Sequence, residues 1–439
     1  MSPAPFDVAR GSAFRPSDRT ALAYVSRDGA LALYNDYATH RSTLVHEPVL
    51  RGEDLEVRAR WRGAAPGPRT VSVGGRVQGY GVFTFPYGPV AMGTAEAGAF
   101  DLVTYGERIL ELVPTVGYKD RGIEQAVVGR TVEDAALWVE RRAGVFALAH
   151  VSAFLAAAEA AAGRSVPERE LWRRALAQEL QRIQAHLRLL ARVADGASQN
   201  VGAAQVHALE EELLRAISRC FGHRWGFGAL LPAHPSDRLD RNGRTELADR
   251  LGRISRGFNG LWETFLTSRT FIDRIQGTGT VPAAESVRWA AVGPTLRASS
   301  IAWDDRLRQP SVPYTDLFVP LATEANGDAL ARVLVRQEEI RASFLMLEQM
   351  LERWEGVGAG EVIPSPGIAP SRGIARVEAP NGDLVYDVTI ADGRVASLQS
   401  RSPSEANWPV MALSLRDAVF TDFVFSLESF GSSFAETDG

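Results

Sequence analysis

A single cysteine, Cys220, stands in 439 residues. No disulfide can close within the chain, and neither a cysteine-ligated iron–sulfur cluster nor a structural zinc site can be built from it alone. Lysine is equally scarce. Lys119 is the only one, so nearly all positive charge is arginine, and 48 basic against 53 acidic residues leave a net charge of -5. That balance argues against a nucleic-acid binder carried by a diffuse basic surface. No basic stretch followed by an apolar run opens the chain, so no secretory signal is expected. The most apolar run, AGVFALAHVSAFLAAAEAAAG at 143–163, is mostly alanine and is interrupted by His150, Ser152 and Glu159. That is the pattern of a buried helix, not of a membrane span.

What is present is ordinary for a globular protein of more than one core: 45% hydrophobic and 23% charged residues. The fold class expected is α+β, a central bundle of long helices flanked by an N-terminal β-rich region and a C-terminal β appendage. Residues 1–85 carry short alternating runs such as TALAYVS and LEVRARW, with GAAPGPRT as a loop; 86–118 continue as β structure with TYGERI as a hairpin. From 119 to 360 the period is helical. In SVPERELWRRALAQELQRIQAHLRLLARVADG, Leu176, Leu180, Ile183, Leu187 and Leu190 make one stripe, with Ser165 as a cap, Pro167 in the first turn and Asp195-Gly196 at the end. Three further amphipathic segments and the apolar one complete an antiparallel bundle. Residues 361–439 return to period two, with hairpin turns at Asn381-Gly382 and Asp392-Gly393, before a short helical tail.

Six motifs in order carry a resemblance: GYKDRGIEQAVVGRTVEDAALWVER (117–141), AQELQRIQAHL (177–187), AVGPTLRAS (291–299), ARVLVRQEEIRAS (331–343), VEAPNGDLVY (377–386) and SPSEANWP (402–409). Over roughly residues 86–436 the chain resembles the large subunit of energy-converting nickel–iron hydrogenases, a family that includes the 49-kDa subunit of respiratory complex I. Hydrogenases of that family place Cys-Gly-x-Cys one residue after Glu-Arg and a second Cys-x-x-Cys close to the C-terminus, and those thiolates hold nickel. Here the first pair falls on Ala143 and Phe146 and the second on Phe430 and Ser433. The complex I branch instead has a tyrosine where Gly144 stands and a quinone-binding histidine in a motif that reads GPVAM here, at Ala91. The chain thus departs from both branches and is most similar to hydrogenase-related complexes whose large subunit has lost its metal cysteines.

The resemblance implies roles for particular residues. Arg121 and Arg141 match arginines beside the terminal [4Fe-4S] cluster of a partner small subunit, where a fixed positive charge favours the reduced cluster; the alternative is surface or interfacial ion pairing. Glu124 matches a glutamate near the active-site cavity and is a candidate proton carrier, as is His150 on the alanine-rich helix. The plainer readings are a helix-start carboxylate and a satisfied core histidine, the role also expected of His186. Arg297 matches an arginine that approaches the active-site region. Phe146 and Phe430 either fill the old metal position jointly as a hydrophobic plug or border an apolar pocket that admits a quinone ring.

The implied function is that of a subunit, not of a hydrogenase acting by itself. It is a metal-free large-subunit homologue in a membrane-associated, complex I-like redox complex, tuning a neighbouring iron–sulfur cluster and coupling electron transfer to ion translocation. No cofactor is expected in this chain. The partners implied are an iron–sulfur small subunit, a ferredoxin-like subunit, a membrane subunit resembling those of complex I and antiporter-like subunits, with the chain peripheral on the cytoplasmic side of the inner membrane. The rivals are a quinone-reducing subunit using side chains such as His150 or Tyr118, and a purely architectural scaffold.

Overall fold

The structure, a computed structural model, describes residues 6–10, 14, 19–50, 67–71, 73, 77–91, 96–231, 239–308, 310–311, 313–357 and 371–438. The strand-like run at 55–61, the first half of the loop at 63–70 and the glycine- and proline-rich link at 358–367 lie outside the described residues.

Alternation of small apolar and polar side chains yields three sheets. Strands β1 (Asp7–Arg10), β2 (Thr20–Val25), β3 (Leu31–Asp36) and β4 (Arg41–His46) lie in the order β1-β4-β3-β2, with β1 parallel to β4. Strands β5 (Arg69–Thr70), β6 (Val82–Tyr87), β7 (Ala99–Tyr105) and β8 (Arg108–Val116) lie in the order β5-β8-β7-β6, with the TYGERI turn joining β7 to β8. Because β6 spans residue 85 and pairs with β7, the two N-terminal β segments share this sheet. Strands β9 (Ser371–Ala379), β10 (Gly382–Ala391) and β11 (Arg394–Arg401) form a meander. Its second turn has Asp392 and Gly393 both at positive φ, 52° and 71°, as a tight hairpin turn demands.

The bundle consists of α1 (Ala147–Ala162), α2 (Glu168–Gly196), α3 (Asn200–Phe221), α4 (Arg241–Thr267) and α5 (Ala329–Arg353). The stripe of α2 is fully inside: Leu176, Leu180, Ile183 and Leu187 have no exposed surface. Pro167 occupies the N-cap of α2, without a side-chain cap, so Ser165 lies two residues too early to cap it. Asp240 and Asp328 do cap α4 and α5, accepting from the backbone N–H of Gly243 and Ala331.

Helix α1 is long and apolar enough, together with the turn before it, to cross a membrane by composition, but 72% of that stretch is buried inside the protein. Its alanines let a strand approach directly. A Cβ on Gly373 of β9 would stand 2.2 Å from the Ala157 carbonyl oxygen, so glycine is required there. The third sheet flanks the bundle and is itself enclosed, because Ile374 and Val385 share a core with Tyr24 and Leu33 of the first sheet.

Where these layers meet, the interior is charged. Arg297 has no exposed surface; its guanidinium donates to Glu339 at 2.6 Å, to Glu378 at 2.8 Å and to the Trp303 carbonyl at 2.7 Å. Glu179 receives Arg306 at 3.1 Å, Tyr314 at 2.7 Å and Ser343 at 2.6 Å. Burial alone pushes Glu339 up, but Arg297 and His186 outweigh it and hold the carboxyl well below its ordinary value. Each charge is retained because its partners come from other helices and strands, so the network locks α2, α5 and β9 in one arrangement.

Three short helices close the chain: α6 (Pro403–Ser414), α7 (Phe423–Phe430) and α8 (Phe434–Asp438). Asp438 accepts from the N–H groups of Gly117 and Lys119 at 2.6 and 2.8 Å, which seats α8 against the end of β8.

Candidate functional site

Two loops distant in sequence meet over one cavity. The turn preceding α1 contributes Ala143, Gly144 and Phe146, and the loop between α7 and α8 contributes Gly431, Ser432 and Ser433. The space is partly open to solvent and holds about 170 Å³, room for a few waters or a small organic group. Its wall mixes aromatic rings, Phe146, Trp408 and Phe434, with the cations Lys119, Arg188 and Arg192 and the carboxylates Glu96 and Glu428.

These charges are paired around the rim. Lys119 is 3.8 Å from Glu96, Arg188 is 3.3 Å from Glu210, and Arg192 is ion-paired with Glu428. Glu96 also accepts from the Ser433 hydroxyl at 2.8 Å and the Ala435 N–H at 3.0 Å, tying the C-terminal loop to the chain before β7. Burial pushes the Glu428 carboxyl up to about 7; Arg192 opposes that and Glu96 adds to it.

The four positions that the resemblance matches to nickel thiolates hold a methyl group, two rings and a hydroxyl. Ala143, Phe146 and Ser433 border the cavity. Phe430 does not: it is fully buried beside it, with the Arg332 guanidinium stacked 3.9 Å from its ring centroid and its carbonyl accepting from Arg336 at 2.8 Å. This donor set does not fit a soft, redox-active metal, which needs converging thiolates. Among the described residues no three His, Cys, Asp or Glu side chains are grouped as a metal site requires.

Nor do the two rings form a joint plug. Phe146 belongs to a small cluster with Ala143 and Ala185, and Phe430 to the separate core under the second sheet. One reason is geometric: Phe430 ends α7, where the cation of α5 draws its ring inward.

The candidate proton carriers lie elsewhere. Glu124 does not line the cavity. It is ion-paired with Arg27 and Arg142 and accepts from the Ser400 hydroxyl at 2.8 Å, so it joins the start of the bundle to β11. His150 has no exposed surface; its Nδ1 is 2.9 Å from the Tyr386 hydroxyl and its Nε2 is 3.4 Å from Glu436. Burial lowers its pKa, with Glu436 opposing, so the neutral ring is favoured. Arg142 bridges the two groups, its Nε donating to the Glu436 carbonyl at 3.2 Å and its guanidinium lying 3.3 Å from Glu124.

Arg121 and Arg141 are exposed beside the first loop. Arg121 donates to the Arg142 carbonyl at 2.6 Å, and Arg141 stacks 4.0 Å from the centroid of Phe227. Tyr118 is exposed next to Lys119, and neither Ala91 nor Arg297 borders the cavity. Sequence reasoning missed Glu428, Glu436, Arg192 and Tyr386. The first two bracket the loop that carries the second ligand pair, and that adjacency was the available signal.

Comparison with known proteins agrees with this frame. Residues 121–189 match the family model of nickel-dependent hydrogenase, and residues 206–366 match that of the respiratory-chain NADH dehydrogenase 49 Kd subunit. The carbon monoxide-induced hydrogenase of Rhodospirillum rubrum is 26% identical over 352 residues, 79% of this chain and 96% of the relative. An NADH-quinone oxidoreductase subunit of Roseiflexus castenholzii is 28% identical over 369 residues, 76% and 87% of the two chains. A chain of the membrane-bound sulfane sulfur reductase, an archaeal respiratory membrane complex, superposes with a TM-score of 0.74 at 23% identity, covering 82% of this chain and 98% of that one, and so shares its fold. Two family models are matched in succession and relatives are spanned almost end to end: the chain's homologues are subunits of membrane-bound hydrogenases and of NADH-quinone oxidoreductases.

Proposed function

We propose that this chain is a large-subunit homologue that holds no nickel, working within a membrane-associated redox complex in which it tunes a neighbouring iron–sulfur cluster and couples electron transfer to ion translocation. The observation that carries the reading is the convergence of the 143–146 and 431–433 loops on one small charged cavity whose ligand positions bear no thiol. Arg121 and Arg141, exposed beside that turn, supply positive charge to a [4Fe-4S] cluster held by a docked small subunit. Glu124 and His150, linked through Arg142, serve proton handling behind the cavity. A ferredoxin-like subunit, a membrane subunit resembling those of complex I and antiporter-like subunits complete the assembly, with this chain peripheral on the cytoplasmic face of the inner membrane.

Elemental analysis of the purified complex tests the reading: iron is expected without stoichiometric nickel, and hydrogen is neither evolved nor oxidised. About one nickel per complex would overturn it. A second reading, reduction of a small quinone-type acceptor in the same cavity, is favoured by one observation: the space is open between Phe146 and Phe434 instead of being filled. Acceptor-dependent turnover that falls when Phe146 is truncated distinguishes it from a scaffold role.

A further inference from the structure

A second cleft lies behind the cavity. It encloses about 330 Å³ between α2, α3 and α7, bordered by Asp195, Asn200, Ala204 and His207. The inner cavity and this outer cleft have two residues in common, Arg192 and Glu428, which are ion-paired to each other. One acidic side chain thus forms part of the wall of both spaces.

The two members of the pair are unequally placed. The Glu428 side chain is 9% exposed and that of Arg192 31%. The carboxyl is anchored on α7 inside the protein, whereas the guanidinium reaches it from α2 with its stem partly in solvent. An ion pair of this kind opens by movement of the long, partly hydrated arginine, leaving the carboxyl in place.

We propose that Glu428 exchanges protons between the outer cleft and the inner cavity, with Arg192 as the latch that holds it between transfers. In the delivering step the Glu428 O–H bond breaks and a bond from that proton to the Glu96 carboxylate, the other carboxyl bordering the inner cavity, forms. The carboxylate then takes a proton from water of the outer cleft, and no electrons move. The groups facing Glu428 support both halves. From the cavity side come Glu96, Lys119 and Arg188, and from the cleft side come Asp195 and His207, the latter 52% exposed and 3.1 Å from Glu210. Tyr87 senses the same carboxyl, since burial and then Glu428 raise its hydroxyl. The neutral-range value of Glu428 given above suits a group that must both hold and release a proton.

The inference rests on the inner cavity being the reaction-side chamber, but its test needs no redox partner. The difference between infrared titrations of the full chain and of Glu428→Gln is expected to show a protonated-carboxyl band with a midpoint between about pH 6 and 8, a difference that removes the contribution of Glu378, a buried carboxyl raised to the same range. In Arg192→Gln that midpoint moves upward, because the cation that favours the carboxylate is gone.

Ala204 is exposed on α3, so Ala204→Trp fills the cleft without disturbing the core. After photorelease of a caged proton, Glu428 should protonate about tenfold more slowly in that variant. No band titrating in that window, or an unchanged rate in Ala204→Trp, overturns the proposal and leaves the metal-free reading standing. Nickel in the complex would sink that reading and leave the Glu428 titration to be judged by itself.

Discussion

His150 Nδ1 lies 2.9 Å from the hydroxyl of Tyr386, a residue 236 positions later in the chain. The contact joins the helix that follows the first ligand-position loop to the central strand of the C-terminal sheet. With Glu436 on the other ring nitrogen, the imidazole is held between strand and terminal helix. Among the described residues it is one of two buried histidines, and both set how the protein responds to acid.

Burial holds His150 below its ordinary pKa and lowers His186 to about 4, with Glu339 opposing in the second case. The folded rings resist protonation that the unfolded chain accepts near 6.5, so the unfolded state binds more protons. The stability they contribute is present above about pH 6.5 and is lost as pH falls toward 4. The His186 part alone is on the order of 3 kcal/mol. Denaturant midpoints measured from pH 8 to 4.5 should fall, and the slope should flatten in His186→Phe or His186→Leu.

Phe430→Ala should cost about 3 to 5 kcal/mol, since the ring is fully buried and stacked under Arg332. Phe146→Ala should cost clearly less, about 2 kcal/mol, because one side of that ring already faces the cavity and little packed volume is lost. Equilibrium unfolding of the two variants side by side checks the order. Equal losses would mean that Phe146 is packed as tightly as Phe430.

Arg297→Met leaves Glu378 buried without its ion-pair partner and Glu339 with only His186 and the more distant Arg182, and should cost about 3 to 5 kcal/mol. Arg297→Lys should rescue little of this, because one ammonium cannot reproduce the fork that reaches Glu339, Glu378 and the Trp303 carbonyl together. Thermal melts of the two variants test the claim, and near-native stability of the lysine variant would contradict it.

Gly373→Val should prevent α1 from seating on β9, because any Cβ there meets the Ala157 carbonyl. The expected result is loss of soluble full-length protein. Gly373→Ala adds the same Cβ against backbone atoms and is expected to give no rescue.

Arg121→Gln, measured in the assembled complex, should lower the midpoint potential of the iron–sulfur cluster proposed for the small subunit by some tens of millivolts, the scale of one charge about 10 Å away at intermediate dielectric. Redox titration followed by electron paramagnetic resonance reads this directly. An unmoved potential in both Arg121→Gln and Arg141→Gln would remove these residues from the cluster environment.

Local chemistry made much of this protein legible before its fold. The stripe from Leu176 to Leu190 specified a long helix, and Asp392-Gly393 specified a hairpin, because each depends on contacts within a few residues. The absence of thiols at 143, 146, 430 and 433 was likewise plain from residue identity, which folding cannot change. What the chain alone could not disclose were relationships between groups far apart in it. Arg297 and Glu378 are 81 residues apart, and Glu179 and Arg306 are 127, yet each pair is buried in contact. Glu124 was expected near the cavity and instead pairs with Arg142 and Ser400, because β11 reaches it from the far end of the sequence. Charge and polarity are properties of residues, but burial and partnership arise only when layers close on one another. Tertiary structure alone therefore decided that the old ligand loops enclose a cavity instead of a plug, and that Glu428 stands in its wall.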